Sequence, residues 1–209
     1  MKVKGFFVTS TGTELGKTYL STKLISNFFS KNIIIDFYKP ILSGFDLNKL
    51  NESDTAKLLK AGERVASIDN IKKITPWIFK KALAPSIAAK HENKKLSFDL
   101  VKKWCLENKK NSKCQYLLFE GAGGIMVPIE RKKTFIDLFK ALKIPVILVS
   151  GSYLGTVSHT LSALETLAKH NIKIINIIFN EGKKLDENYQ DNYKLLKSSI
   201  ISNIKIRPL

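Results

Sequence analysis

The chain has 209 residues, 44% of them hydrophobic and 25% charged, with a formal net charge of +17. That length and apolar content fit one globular domain over residues 1–209 and exclude collagen-like, coiled-coil-only and wholly disordered chains. Two cysteines nine residues apart, Cys105 and Cys114, and three scattered histidines, His91, His159 and His170, exclude a disulfide framework and a zinc site.

Residues 3–9 read as a strand, and residues 16–31 as an amphipathic helix with Leu20, Leu24, Ile25 and Phe28 on one stripe. Between them stands Gly12-Thr13-Glu14-Leu15-Gly16-Lys17-Thr18, in the strand–turn–helix setting that a phosphate-binding P-loop needs. Successive backbone N–H groups and a helix N-terminus make such a loop an anion site. Gly16 would let phosphates approach the backbone, Lys17 would reach the β- and γ-phosphates, and the Thr18 hydroxyl would ligate Mg²⁺. The standard spacing puts the first glycine at position 11, where this chain has Thr11.

Residues 33–39 read as a second strand. Its carboxyl end carries Lys39, followed by Ser43-Gly44, on the side of an open α/β sheet that faces a ligand crevice. Roughly residues 45–112 then break the strand–helix rhythm and read as a helical insertion over one sheet edge, with helical patterns at 51–61, 85–91 and 96–108. Asp54 follows Asn51 by three residues, so it reads either as part of a capping box or as a magnesium carboxylate.

Residues 115–120, 145–150 and 173–179 read as three further strands, and 204–207 as a sixth. Continuous Ile, Val, Leu and Phe runs suit strands buried on both faces of a parallel sheet. Helical patterns at 135–142 and at Leu154, Val157, Leu161, Leu164 and Leu167 alternate with them, which predicts a three-layer α/β/α fold with a mostly parallel central sheet. Residues 180–188 read as loop. Glu120, followed by Gly121-Ala122-Gly123-Gly124, closes an apolar strand and reads either as a turn-capping acid or as a second magnesium ligand.

The positive charge does not read as a nucleic-acid surface. It is carried by 32 lysines and only three arginines, spread in ones and twos, which fits solvated faces. No apolar run approaches the ~20 residues that span a bilayer. The N-terminal apolar stretch of four residues is too short for a signal peptide. A reduced, cytoplasmic setting is expected, with neither nucleic acid nor membrane as partner.

Taken together, Thr13-Glu14-Leu15-Gly16-Lys17-Thr18, Tyr38-Lys39-Pro40-x-x-Ser43-Gly44, Ser53-Asp54, Ala84-Pro85-Ser86, Glu120-Gly121-Ala122-Gly123-Gly124, the strand at 145–149, Leu154-Gly155 and Asn180 resemble the dethiobiotin synthetases. The resemblance covers roughly the first 180 residues. It implies a P-loop NTPase fold and a homodimeric ligase of biotin biosynthesis, which uses ATP, Mg²⁺ and CO₂ to close the ureido ring of 7,8-diaminononanoate. It implies Lys17 and Lys39 as catalytic residues and Thr18, Asp54 and Glu120 as metal ligands. Nucleotide contacts would come from Gly12, Thr13, Glu14, Leu15, Gly16, Lys17, Thr18, Tyr19, Asp54, Glu120, Gly121, Ala122, Gly123 and Asn180. Substrate contacts would come from Thr13 and Ser43, and from Gly155, Thr156 and Val157 of the partner subunit holding the substrate carboxylate. By residues alone, the favoured reading of Gly155 is an ordinary strand–helix turn.

The chain departs from the family pattern at Ser10, where a glycine is usual, and at Gly12, where an acidic residue is common. Little follows the sixth strand, so that of the family's base clamp only Asn180 is recognisable, and a relaxed nucleotide preference is expected. The competing expectation is a ParA/MinD-like ATPase switch. Those carry a second lysine near the start of the loop, where this chain has Thr11-Gly12-Thr13.

Overall fold

The computed structural model describes residues 3–182, 188–200 and 204–209. Its centre is a six-stranded sheet made of β1 (Lys4–Ser10), β2 (Ile35–Tyr38), β5 (Tyr116–Gly124), β8 (Val146–Gly151), β9 (Ile174–Asn180) and β10 (Lys205–Pro208). The order is β10-β9-β8-β1-β5-β2, and every pairing is parallel.

The apolar runs become central strands because both their faces are covered. Along β1, Phe6 and Val8 face one core while Phe7 faces the other, the two-residue period of a strand. The first core packs α1 (Lys17–Phe29), α2 (Asp54–Ala61) and α3 (Ile68–Ile74) against Ile35, Phe37 and Leu118. The second packs α4 (Pro85–His91), α5 (Phe98–Asn111), α6 (Phe135–Leu142) and part of α7 (Thr156–Lys169) against Phe7, Leu117 and Phe119. The long segment between β2 and β5 therefore splits, giving two helices to each core. It also contains a 3-10 turn at Leu47–Glu52 and a parallel pair, β3 (Ile41–Leu42) with β4 (Trp77–Ile78). A small antiparallel pair, β6 (Pro128–Glu130) with β7 (Lys133–Thr134), precedes α6, and α8 (Tyr189–Ser199) precedes β10.

Several boundaries differ from the sequence reading. The glycines after Glu120 continue β5 as strand, because β5 stays paired with β1 as far as Ser10 opposite Gly124, across a bulge. Leu154, placed on a helical stripe by its spacing, is fully exposed and precedes α7. In the stretch read as loop at 180–188, residues 183–187 lie outside the described residues.

Chain connectivity places the crevice. From β1 the chain crosses over β5 to β2, and from β5 it crosses over β1 to β8. The direction of winding reverses between β1 and β5, and ligands of open α/β sheets bind at the carboxyl ends of such strands.

Candidate active site

Ser10 ends β1, and Lys17 opens α1. The turn between them requires a left-handed backbone at Gly16, with φ of 98°. A Cβ at Gly16 would also stand 2.5 Å from the Asn180 amide nitrogen, so only glycine fits. Glu14 is left-handed too, at φ 58°, with its side chain in solvent. The free N–H groups at the start of α1 carry no side-chain cap and no acid in the first turn, which suits an anion.

Lys17 is buried, and its Nζ donates to Ser10 Oγ at 2.9 Å and to the Gly12 carbonyl at 3.1 Å. Burial, and then the neighbouring charge of Lys39, bring its pKa down to about 8.

Glu120 lies on β5 opposite Val8 of β1 and is sealed from solvent. Its Oε1 accepts from Lys39 Nζ at 2.6 Å and from Thr18 Oγ1 at 2.7 Å. Lys39 Nζ also reaches Asp54 Oδ2 at 3.0 Å. Burial alone would lower the Lys39 pKa, but Glu120 and Asp54 outweigh it and hold the ammonium well above the usual lysine range. Burial pushes the Asp54 carboxyl upward, but the Lys39 charge, hydrogen bonds from Lys39 and Thr18 and the Lys57 charge together outweigh this and leave it below the ordinary carboxylate range.

Asp54 is not a helix cap. The capping box suggested by Asn51 does not form: Ser53 caps α2, its Oγ accepting from the Ala56 N–H at 3.2 Å. Asp54, the next residue, is free to face Lys39. Sequence spacing missed this because Asn51 and Ser53 are both good N-cap residues.

Thr18, Asp54 and Glu120 carry hard oxygen donors, the donor type Mg²⁺ takes alongside phosphate oxygens, and Lys39 Nζ joins the two carboxylates. Glu120 Oε2 is buried with no partner, an orphan that a cation or its water would satisfy. The residues present therefore fit a magnesium ion.

The remaining candidates divide. Gly123, at φ 68°, and Gly124 bring β5 against the loop: a Cβ on Gly124 would stand 3.0 Å from the Thr11 carbonyl, and one on Gly123 would stand 2.7 Å from Val127 Cγ2. Thr13 is exposed, and its Oγ1 lies near Gly123. The Ser43 and Thr11 hydroxyls are buried without partners. The Tyr19 ring is exposed beneath Lys23 Nζ, 4.6 Å from its centroid, and its backbone lies in the first turn of α1. Asn180 ends β9, donates to the Leu15 carbonyl at 3.1 Å and accepts from the Gly182 N–H at 3.2 Å.

Gly155, at φ 89°, caps the start of α7 just after β8. Thr156 is committed elsewhere: its N–H bonds the Tyr153 carbonyl at 3.0 Å and its buried hydroxyl bonds the Gly151 carbonyl. Val157 remains among the first-turn N–H groups that have no intrahelical partner. The role of Ser10 as the partner of Lys17 was not read from the sequence; its only signal is a serine where the resembling family has glycine.

Residues 4–206 match a family described as an AAA domain. The chain is 39% identical over 181 residues to the ATP-dependent dethiobiotin synthetase BioD of Caulobacter vibrioides, covering 86% of this chain and 81% of that one. It is 36% identical over 198 residues to the BioD of Clostridium botulinum strain Eklund 17B, covering 93% and 86%. Among solved structures, the signal recognition particle receptor FtsY of Elizabethkingia anophelis aligns with a TM-score of 0.54 at 14% identity, over 99% of this chain and 57% of that one. A plasmid partition protein of Borrelia burgdorferi B31 bound to AMPPNP aligns with a TM-score of 0.54 at 16% identity, over 100% and 87%. At those identities the structural likeness speaks for the shared P-loop α/β fold, whereas the sequence relatives separate the synthetases from the ATPase switches. The chain belongs to the family of ATP-dependent dethiobiotin synthetases.

Proposed function

We propose that this enzyme carboxylates 7,8-diaminononanoate with CO₂ and closes the ureido ring to dethiobiotin, with ATP consumed to ADP and phosphate. The observation that carries this reading is a buried lysine, Lys39, set between Glu120 and Asp54 beside the P-loop. The switches carry their second lysine near the start of the loop, whereas Lys39 comes from the segment that follows β2.

A substrate amine takes up CO₂ as a carbamate. A carbamate oxygen attacks the γ-phosphorus, forming a carbamic–phosphoric anhydride and releasing ADP. The second amine attacks the carbamoyl carbon and expels phosphate. Each of these species is anionic, so fixed positive charge and backbone donors supply most of the catalysis. Lys17 binds the transferring phosphoryl group. Lys39 has three N–H donors; two serve Glu120 and Asp54, and the third is available to the carbamate. Ser43, with its unpartnered hydroxyl, supports a polar contact with the diamine or carbamate, and the exposed Thr13 of the loop supports another. Bound by Thr18, Asp54 and Glu120, Mg²⁺ would offset charge on the β- and γ-phosphates.

The substrate carboxylate would take the start of α7, through Gly155 and Val157, with Thr156 anchoring that turn to β8. This site would come from the partner subunit of a homodimer. Among the described residues no helix is long and apolar enough to cross a membrane, and the two cysteines are free. The direct test incubates the protein with 7,8-diaminononanoate, bicarbonate, Mg²⁺ and ATP. Dethiobiotin, identified by mass and formed only with all four present, is the expected product, and ATP hydrolysis without it would overturn the reading.

A further inference from the structure

Ser10 is the last residue of β1 and is wholly buried. Its side chain stands where three segments meet. Its Oγ accepts from Lys17 Nζ at 2.9 Å, lies 3.2 Å from the Gly123 carbonyl on β5, and touches the Gly12 carbonyl within the loop. A hydroxyl has one hydrogen and two lone pairs. With carbonyl oxygens on one side, the hydrogen is committed to them and the lone pairs face the ammonium. The hydroxyl is thereby fixed as an acceptor for Lys17.

Lys17 gains two of its three bonds in this way, one to Ser10 Oγ and one to the Gly12 carbonyl. A flexible four-carbon stem would otherwise let the ammonium wander, at an entropy cost on every binding event. Two fixed acceptors leave one N–H uncommitted. We propose that Ser10 is a positioning residue for Lys17: held by the Gly12 and Gly123 carbonyls, its hydroxyl sets the lysine so that the remaining N–H meets the β- and γ-phosphates. This rests on the reading of the loop as the nucleotide site. It assigns a function to one of the two residues at which the chain departs from the family pattern, and it ties the Gly123 carbonyl of β5 to the setting of Lys17.

The test is Ser10→Ala, with Ser10→Gly as a second variant if the first fails to fold, and nucleotide affinity measured by calorimetry. Lys17 serves only phosphates beyond the first, so the expected result is about a tenfold weaker Kd for ADP and for a non-hydrolysable ATP analogue, with AMP changed less than twofold. Within a Lys17→Ala background, Ser10→Ala should alter ADP affinity less than twofold, since the interaction it supports is gone. In turnover, KM for ATP should rise while KM for the diamine stays put. An equal loss for AMP and ADP would mean a collapsed loop and would overturn the proposal. So would an undiminished loss in the Lys17→Ala background, or no loss at all. If the unsubstituted protein binds ADP no better than AMP, the nucleotide reading itself fails, which is a different outcome from failure of Ser10 alone.

Discussion

Lys39 Nζ donates to Glu120 Oε1 across 2.6 Å, and both side chains are sealed from solvent. The pair joins the segment after β2 to the middle of β5, so it is a structural tie as well as a charge held ready. Charges in such a place cost desolvation and persist only when paired. Removing one partner strands the other.

Lys39→Ala should therefore do two separable things. Turnover should fall about 10³-fold or more if the ammonium stabilises transferring charge. Stability should fall by about 3–5 kcal/mol, because Glu120 is left buried and unpaired. The double variant Lys39→Ala with Glu120→Gln removes both charges, so denaturant melts should show much of the stability restored while activity stays absent. Wild-type turnover by Lys39→Ala would leave the pair a purely structural tie.

Asp54 and Ser53 offer a second separation. Ser53 caps α2, while Asp54 faces Lys39. Asp54→Asn keeps the cap and should fold normally, yet it should need about tenfold more Mg²⁺ for half-maximal rate. Ser53→Ala should cost about 1 kcal/mol of stability and leave the magnesium titration unmoved. A titration curve for Asp54→Asn that overlays the wild type would remove Asp54 from the metal site.

What the sequence disclosed follows from how local each signal is. The central strands were legible because buried parallel strands are continuous apolar runs, and α4 and α6 because each helical pattern is short and sharply bounded. The helix α3 was not, since only Ile71 and Ile74 of its seven residues are buried, too few to set a period. β3 and β4 pair over two residues each, and their pairing depends on the fold. In the site, Lys17 and Thr18 were carried by a local motif and Lys39 by its place at a strand end. The contact of Ser10 with Lys17 and Gly123 needs β1, α1 and β5 assembled, which no local pattern encodes.

A substrate site shared between subunits would make activity depend on assembly. If the start of α7 serves the neighbouring subunit, specific activity should fall on dilution in step with dimer dissociation seen by sedimentation. The fully exposed Leu154 beside Gly155 is a suitable probe of that face. Leu154→Glu should weaken the dimer and shift the dilution curve to higher protein concentration. Full specific activity where only monomer sediments would refute the shared site.

Away from the site, Asp137 accepts from the Thr134 N–H at 2.9 Å at the start of α6, with Lys133 Nζ 3.6 Å from its other oxygen. Slight burial raises its carboxyl pKa, but the Thr134 bond and the Lys133 charge outweigh that and lower it below the ordinary range. A lowered carboxylate stabilises the fold above its unfolded pKa, and this contribution is lost as pH falls through the folded value. Asp137→Ala should thus cost about 1 kcal/mol at neutral pH. The gap between variant and wild type should narrow as the pH of the melts falls below the ordinary aspartate range. A gap independent of pH would mean that packing, not charge, carries the effect.

Asn180 distinguishes support of the loop from reading of the base. Its amide is engaged at both ends, donating to the Leu15 carbonyl at 3.1 Å and accepting from the Gly182 N–H at 3.2 Å. It also lies against Gly16, where even a methyl group would crowd it. An amide so committed holds the phosphate loop in shape, and phosphates are common to every nucleoside triphosphate. Asn180→Ala should then lower kcat/KM for ATP and for GTP together, each about tenfold, the cost of roughly one hydrogen bond at 1.4 kcal/mol. The ratio of the two should stay within about threefold. A base-reading amide behaves otherwise, because its loss leaves one base edge unpaired and the other indifferent. Asn180→Ala would then penalise ATP alone, and a tenfold or greater fall in the ATP-to-GTP ratio would place Asn180 on the purine and not on the loop.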